Sequence, residues 1–137
     1  MAANTQPIFS ISGDIKWGAT AITTANTAKD GTGTVLTVFT ANGDGGFVQR
    51  IRFRSAGTNI ATVARVFINN GSTNATAGNN ILYDEITLAA TTISEVSSLA
   101  VYELPLNFAL PAGYKLNVTI GTTVAAGYFV SVIGGKY

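Results

Sequence analysis

Runs of Thr, Val, Ile and aromatic residues, each about the length of a strand, recur along this chain between clusters of Gly, Asn and Asp. Side chains in a strand alternate between two faces, so the runs read as β-strands and the clusters as turns that tolerate positive φ. The best-defined case is Tyr114, Leu116, Val118 and Ile120 alternating with Lys115, Asn117 and Thr119, which predicts one apolar and one wet face. Helix signals are nearly absent. Strand candidates fall at residues 7–12, 15–24, 34–40, 46–55, 60–69, 81–93, 99–108, 115–120 and 126–134, eight or nine in all.

A chain of 137 residues has room for one domain. The expected fold is all-β, a single-domain antiparallel β-sandwich over residues 9–137, jelly-roll-like rather than immunoglobulin-like because of the strand count. Residues 1–8 read as an extended N-terminal arm, since Pro7 and the lack of any pattern favour an open conformation.

Within the strands, Tyr102, Leu104, Leu106 and Phe108 share one phase, while Glu103, Pro105 and Asn107 share the other. Pro105 lacks a ladder donor, which places this strand at a sheet edge or at a bulge. Thr62 to Asn70 is apolar on both faces, so it is either a central strand or a strand whose second face meets a partner. Asp30-Gly31-Thr32-Gly33 and Asn42-Gly43-Asp44-Gly45-Gly46 read as hairpin turns. Residues 69–80 form a long polar connection, and 71–79 is the stretch expected to be presented to solvent. The segment 89–100 is compatible with one short helical turn.

Charge is scarce. Lys, Arg, Asp and Glu make up 11% of the chain, where about 25% is ordinary. A surface built from Thr, Asn, Ser, Ala and Gly is poorly protected against association, so much of it is expected to be covered by copies of itself or by another protein. The net charge of +1 argues against nucleic acid as a partner. The absence of His and Cys excludes disulfides, thiol chemistry and the commonest general base and zinc ligand. No G-x-S-x-G, phosphate-loop or metal-spaced motif occurs. The reading is therefore of a protein that is not an enzyme and that takes no cofactor and no metal. No apolar run approaches a membrane span, and no signal-peptide pattern opens the chain, so synthesis in a cytoplasm without a membrane partner is expected.

Arg50, Arg52 and Arg54 alternate with Ile51 and Phe53 and so line one face of a strand. They are either a basic stripe that docks on a partner or a solvated face paired with carboxylates such as Asp84 and Glu85. Asp84 and Glu85 are adjacent and point to opposite faces, which rules them out as a catalytic pair by proximity. Trp17 and the tyrosines Tyr83, Tyr102, Tyr114, Tyr128 and Tyr137 fit core or interface positions better than a sugar-stacking platform. Trp17, close to the arm, is read as helping to anchor it.

The Thr/Ala/Gly/Asn-rich strands, the run Ala61-Thr62-Val63-Ala64-Arg65-Val66-Phe67-Ile68-Asn69-Asn70-Gly71 and the stretch Leu110-Pro111-Ala112-Gly113-Tyr114-Lys115-Leu116 carry a resemblance. Together they resemble small structural proteins of tailed bacteriophages, in particular capsid decoration (cement) proteins of β-sandwich or jelly-roll type. The resemblance implies a homotrimer on the outer surface of a phage head, made in the bacterial cytoplasm, that clamps major capsid protein subunits and stabilises the shell. The interface residues expected on this reading are Asn4, Thr5, Gln6, Pro7 and Ile8 in the arm, with Trp17, Arg50, Arg52, Arg54 and Arg65 on the domain. The alternative is a carbohydrate- or receptor-binding β-sandwich module of a phage head or tail fibre, with residues 69–80 as its reading loop.

Overall fold

The computed structural model describes residues 10–137. The arm expected over residues 1–8, with Asn4 to Ile8, lies outside them. Eight strands follow in order: β1 (Ser12–Trp17), β2 (Leu36–Thr40), β3 (Gly46–Ser55), β4 (Thr62–Asn69), β5 (Asn80–Leu88), β6 (Val101–Leu110), β7 (Lys115–Ile120) and β8 (Tyr128–Lys136). A single 3-10 turn, Ala77–Asn79, precedes β5. The expected strand at 15–24 ends at Trp17, because residues 18–35 become a long connection held by isolated bridges of Ile22 to Tyr128 and Ala25 to Ile120. Residues 89–100 form no helical turn.

The strands make two four-stranded antiparallel sheets, ordered β1-β8-β3-β6 and β2-β7-β4-β5. Only β4 and β5 are consecutive neighbours in one sheet, and every other connection crosses between sheets. This is the eight-stranded jelly-roll order, and it makes the protein a β-sandwich. The turn at 41–45 consequently arches between sheets and is not a hairpin. Gly45 there takes φ 88°, the left-handed conformation that its position before β3 demands.

The core lies between the inner faces. Val48, Ile51 and Phe53 of β3 meet Val130 and Val132 of β8, and across the gap stand Phe39, Ala64, Val66, Leu116, Val118 and Ile120. Burying a side chain of this kind stabilises by about 1.5–3 kcal/mol before entropy is counted. The even phase of β6 packs inward as expected, with Leu106 and Leu110 buried and Tyr102, Leu104 and Phe108 against the core. Pro105 is both at an edge and beside an irregularity. β6 is the last strand of its sheet, and the register with β3 shifts between Val48 and Arg50. Asn107, at φ 51°, absorbs that shift on β6. On β8 the same shift brings Gly134 so close to β3 that a Cβ would lie 2.2 Å from the Phe47 carbonyl oxygen.

The second sheet corrects one expectation. Lys115, Asn117 and Thr119 do not form a wet face, because Asn117 and Thr119 are buried. β4 is central, and Phe67, in phase with Arg65 by simple alternation, lies on that same outer face opposite Asn117, where it too is fully buried. The cover is the chain's own β1–β2 connection. Asn26 donates its backbone N–H to the Ile120 carbonyl at 2.8 Å, beside β7. Farther along, Asn74 Nδ2 reaches the carbonyls of Gly31 (3.2 Å) and Gly33 (2.8 Å), and Asn80 Nδ2 reaches that of Asp30 (3.2 Å), at the start of β5. The connection thus crosses the sheet. Asp30 ties the crossing loop by accepting from the Thr32 hydroxyl (2.6 Å) and the Thr32 N–H (3.1 Å), and these bonds hold its carboxyl below the usual aspartate range. Residues 70–73 and 75–78 remain exposed, as expected of the long polar loop.

Candidate interaction surface

Register determines which side chains share the outer face of the β1-β8-β3-β6 sheet, since residues paired across strands point the same way. Ile51 pairs with Val132 and Phe53 with Val130, all in the core, so the residues between them face outward. One row across the sheet is Ile15, Ile133, Arg50 and Pro105; the next is Trp17, Ser131, Arg52 and Glu103; a third is Phe129, Arg54 and Val101. The arginine stripe and Trp17 therefore come together on one surface. Trp17 is 69% exposed, Ile15 59% and Phe129 58%, so the face is apolar toward β1 and basic toward β6. Trp17 is a surface residue of a sheet edge and contributes nothing to the core.

Of the two readings of the arginines, the solvated-face one named the wrong partners. Asp84 and Glu85 belong to β5 in the other sheet. The carboxylate that serves the stripe is Glu103, whose Oε2 lies 3.8 Å from Arg50 Nε and whose Oε1 lies 3.7 Å from Arg52 Nε. Both separations exceed a hydrogen bond, and the Nε of Arg50 is buried with no acceptor. Arg54 has no ion-pair partner among the described residues. Three guanidinium groups against one carboxylate leave the face with a surplus of positive charge.

Arg65 is not part of this surface. It lies on β4, on the outer face of the other sheet, where its side chain is only 12% exposed and its Nε donates to Glu85 Oε2 at 3.2 Å. Burial by Val63, Gly121 and the neighbouring strands makes it a structural ion pair and removes it from any solvent-facing interface. Its Nη1 and the hydroxyl of Thr119, its register partner, are buried without acceptor or donor.

Two shallow features border the face. A cleft of about 300 Å³ opens between Ile15, Trp17 and Val38–Thr40, where β1 and β2 diverge at the sandwich edge. Lys16 plugs its inner side: its Nζ donates to the Thr40 carbonyl, sits 4.7 Å from the centre of the Phe39 ring and pairs with Asp14 at 3.2 Å. At the opposite edge a polar cleft of about 370 Å³ is lined by Gln49, Arg50, Glu103, Pro105 and Asn107, the residues gathered by the strand irregularity.

Sequence reasoning missed Ile15, Ile133 and Phe129. Their signal was present, because Phe129 and Ile133 alternate with Tyr128, Val130 and Val132, and Ile15 shares a phase with Trp17. Among the described residues no cluster of His, Cys, Asp and Glu has metal-holding geometry. Nor, among those residues, is any helix long and apolar enough to cross a membrane. Comparison with protein-family models, curated proteins and solved structures finds no match for this chain.

Proposed function

We propose that this chain is a non-catalytic structural protein that assembles with copies of itself, as a trimer, and binds the outer surface of a phage capsid, bridging major capsid subunits and stabilising the shell. One observation carries the reading: the outward face that unites Ile15, Trp17 and Phe129 with Arg50, Arg52 and Arg54. Trp and Arg are the residues that most often dominate protein–protein binding energy. They stand here on a rigid sheet, so little conformational entropy is lost when a partner covers them. The low overall charge leaves few groups to desolvate, and weak contacts repeated by symmetry give avidity. The jelly-roll order and the resemblance to decoration proteins support this kind of assembly, and with it a place on the virion surface.

The test is co-sedimentation of the full chain with purified tailed-phage heads that lack a decoration layer. The wild type is expected to pellet with the heads, and a chain lacking residues 1–8, or carrying Trp17→Ala with Arg52→Glu, to remain in the supernatant. A wild-type chain that stays behind and remains monomeric overturns the proposal.

A second reading is favoured by the exposure of Trp17 and by the polar cleft of Gln49, Arg50, Glu103 and Asn107. An exposed indole and convergent amides with a carboxylate suit a carbohydrate- or receptor-binding module. It predicts glycan-array binding that Trp17→Ala abolishes, from a chain that does not pellet with heads.

A further inference from the structure

We infer that the segment Ile93-Ser94-Glu95-Val96 of one copy docks on the Trp17–Phe129–Arg54 surface of a second copy of this chain. The inference rests on the self-assembly proposed above and names the partner of that face. Val96 is 96% exposed and Ile93 55%, with Glu95 between them, so the segment is an apolar knob carrying one negative charge. Its base is fixed. Thr91 bridges Asn59 with backbone bonds of 3.1 and 2.9 Å, and the Ile93 N–H donates to the Thr58 hydroxyl at 3.1 Å. A knob held in this way loses little freedom on binding.

The receiving surface has the complementary make-up. Trp17 and Phe129 are exposed apolar groups, and Arg54, beside Phe129 in the register, has no carboxylate partner among the described residues. The carboxylates of the chain leave one clear counter-charge. Asp14 pairs with Lys16, Glu85 with Arg65 and Glu103 with Arg50 and Arg52, Asp30 and Asp84 accept local backbone N–H groups, and Asp44, also without an ion pair among the described residues, sits between Gly43 and Gly45 in the 41–45 turn with no apolar side chain next to it. Glu95 alone sits between large exposed hydrophobic side chains. Four residues separate Val96 from the start of β6 at Val101, the residue paired with Arg54, so knob and receiving surface lie toward the same end of the sheet. Non-identical patches make a head-to-tail contact, which closes into a ring when the rotation between copies permits it. Each copy then buries an apolar knob and neutralises one arginine of its neighbour.

Light scattering on a sizing column, across a range of concentrations, tests the contact with the full chain, Arg54→Glu, Glu95→Arg and the double variant. Both positions are exposed, and unchanged thermal melts establish that each variant folds. The wild type is expected to be oligomeric, each single reversal to raise the dissociation constant by about tenfold or more, and the double variant to recover most of the loss. A monomeric wild type, single variants of unchanged mass, or a double variant as weak as the singles overturns the inference. Co-sedimentation of the same proteins with phage heads separates this contact from the capsid reading. Heads that pellet the wild type while its mass is insensitive to the reversals retain the capsid role and reject the contact. The expected mass pattern with no pelleting retains the contact and rejects the capsid role.

Discussion

Trp17 and Arg52 face the same way across β8, each in register with Ser131 from an opposite side. An indole from the edge strand and a guanidinium from an interior strand thus flank one small hydroxyl, leaving a shallow step between two large side chains. Such a step has room for a side chain laid between them and is too open to enclose a small molecule.

Because Trp17 is mostly exposed, removing it is expected to affect binding and not folding. Trp17→Ala should shift stability by no more than about 0.5 kcal/mol, as for ordinary surface positions, while weakening association or glycan binding. Urea unfolding beside light scattering checks both. A destabilisation of several kcal/mol would show that the indole packs against the body of the protein.

Asn59 is buried and joins the segment after β3 to the start of β8. Its Nδ2 donates to Ser55 Oγ (3.0 Å) and the Gly127 carbonyl (2.9 Å), and its Oδ1 accepts from the N–H groups of Ala126 and Gly127 (both 2.8 Å). Asn59→Ala orphans several buried groups at about 1–3 kcal/mol each, so a loss of about 3 kcal/mol or more is expected in urea unfolding. Asn59→Asp should be nearly as damaging, since its carboxylate cannot donate.

Phe53 is fully buried between the sheets. Phe53→Ala is expected to cost about 3–5 kcal/mol through lost burial and the cavity left behind, measured as a lower urea midpoint at unchanged slope. A loss below about 1 kcal/mol would contradict the packing described for the core.

Burial, and then the neighbouring Tyr102, push the Tyr128 phenol above its ordinary pKa. A raised pKa means the neutral form is favoured in the fold, so this contribution is complete below about pH 10, the unfolded value, and is lost as pH rises through the folded one. Wild-type stability should therefore fall above about pH 10 more steeply than that of Tyr128→Phe. The variant starts lower at neutral pH by about 1 kcal/mol, because the Tyr128 hydroxyl donates to the Ala89 carbonyl at 3.3 Å. Parallel alkaline limbs for the two proteins would exclude this role.

Gly134→Ala should be destabilising even though a strand ordinarily prefers alanine. The added Cβ would meet the Phe47 carbonyl at a distance no real side chain adopts, and backbone on the paired strand must move. Amide exchange is expected to speed up along Phe47 to Arg50 and Gly134 to Lys136, with the second sheet unaffected.

What the amino-acid sequence determined by itself was mostly what depends on short-range alternation. The strands Gly46–Ser55 and Lys115–Ile120, the inward phase of Tyr102 to Phe108 and the shared face of Arg50, Arg52 and Arg54 are local consequences of a period of two, and the missing N–H of Pro105 confined it to an edge or a bulge. The tertiary structure alone decided what meets each face. Asn117 and Thr119 looked wet because polarity is legible in sequence and cover is not; a connection from residues 18–35 folds over them. Arg65 looked like a member of the basic set until strand order placed it on the other sheet beside Glu85. Glu103 as the partner of Arg50 and Arg52, and Trp17, Phe129 and Ile133 as their neighbours, depend on pairing across strands far apart in the chain. Alternation tells which side chains point together along one strand, and only register between strands tells which of them stand together on a surface.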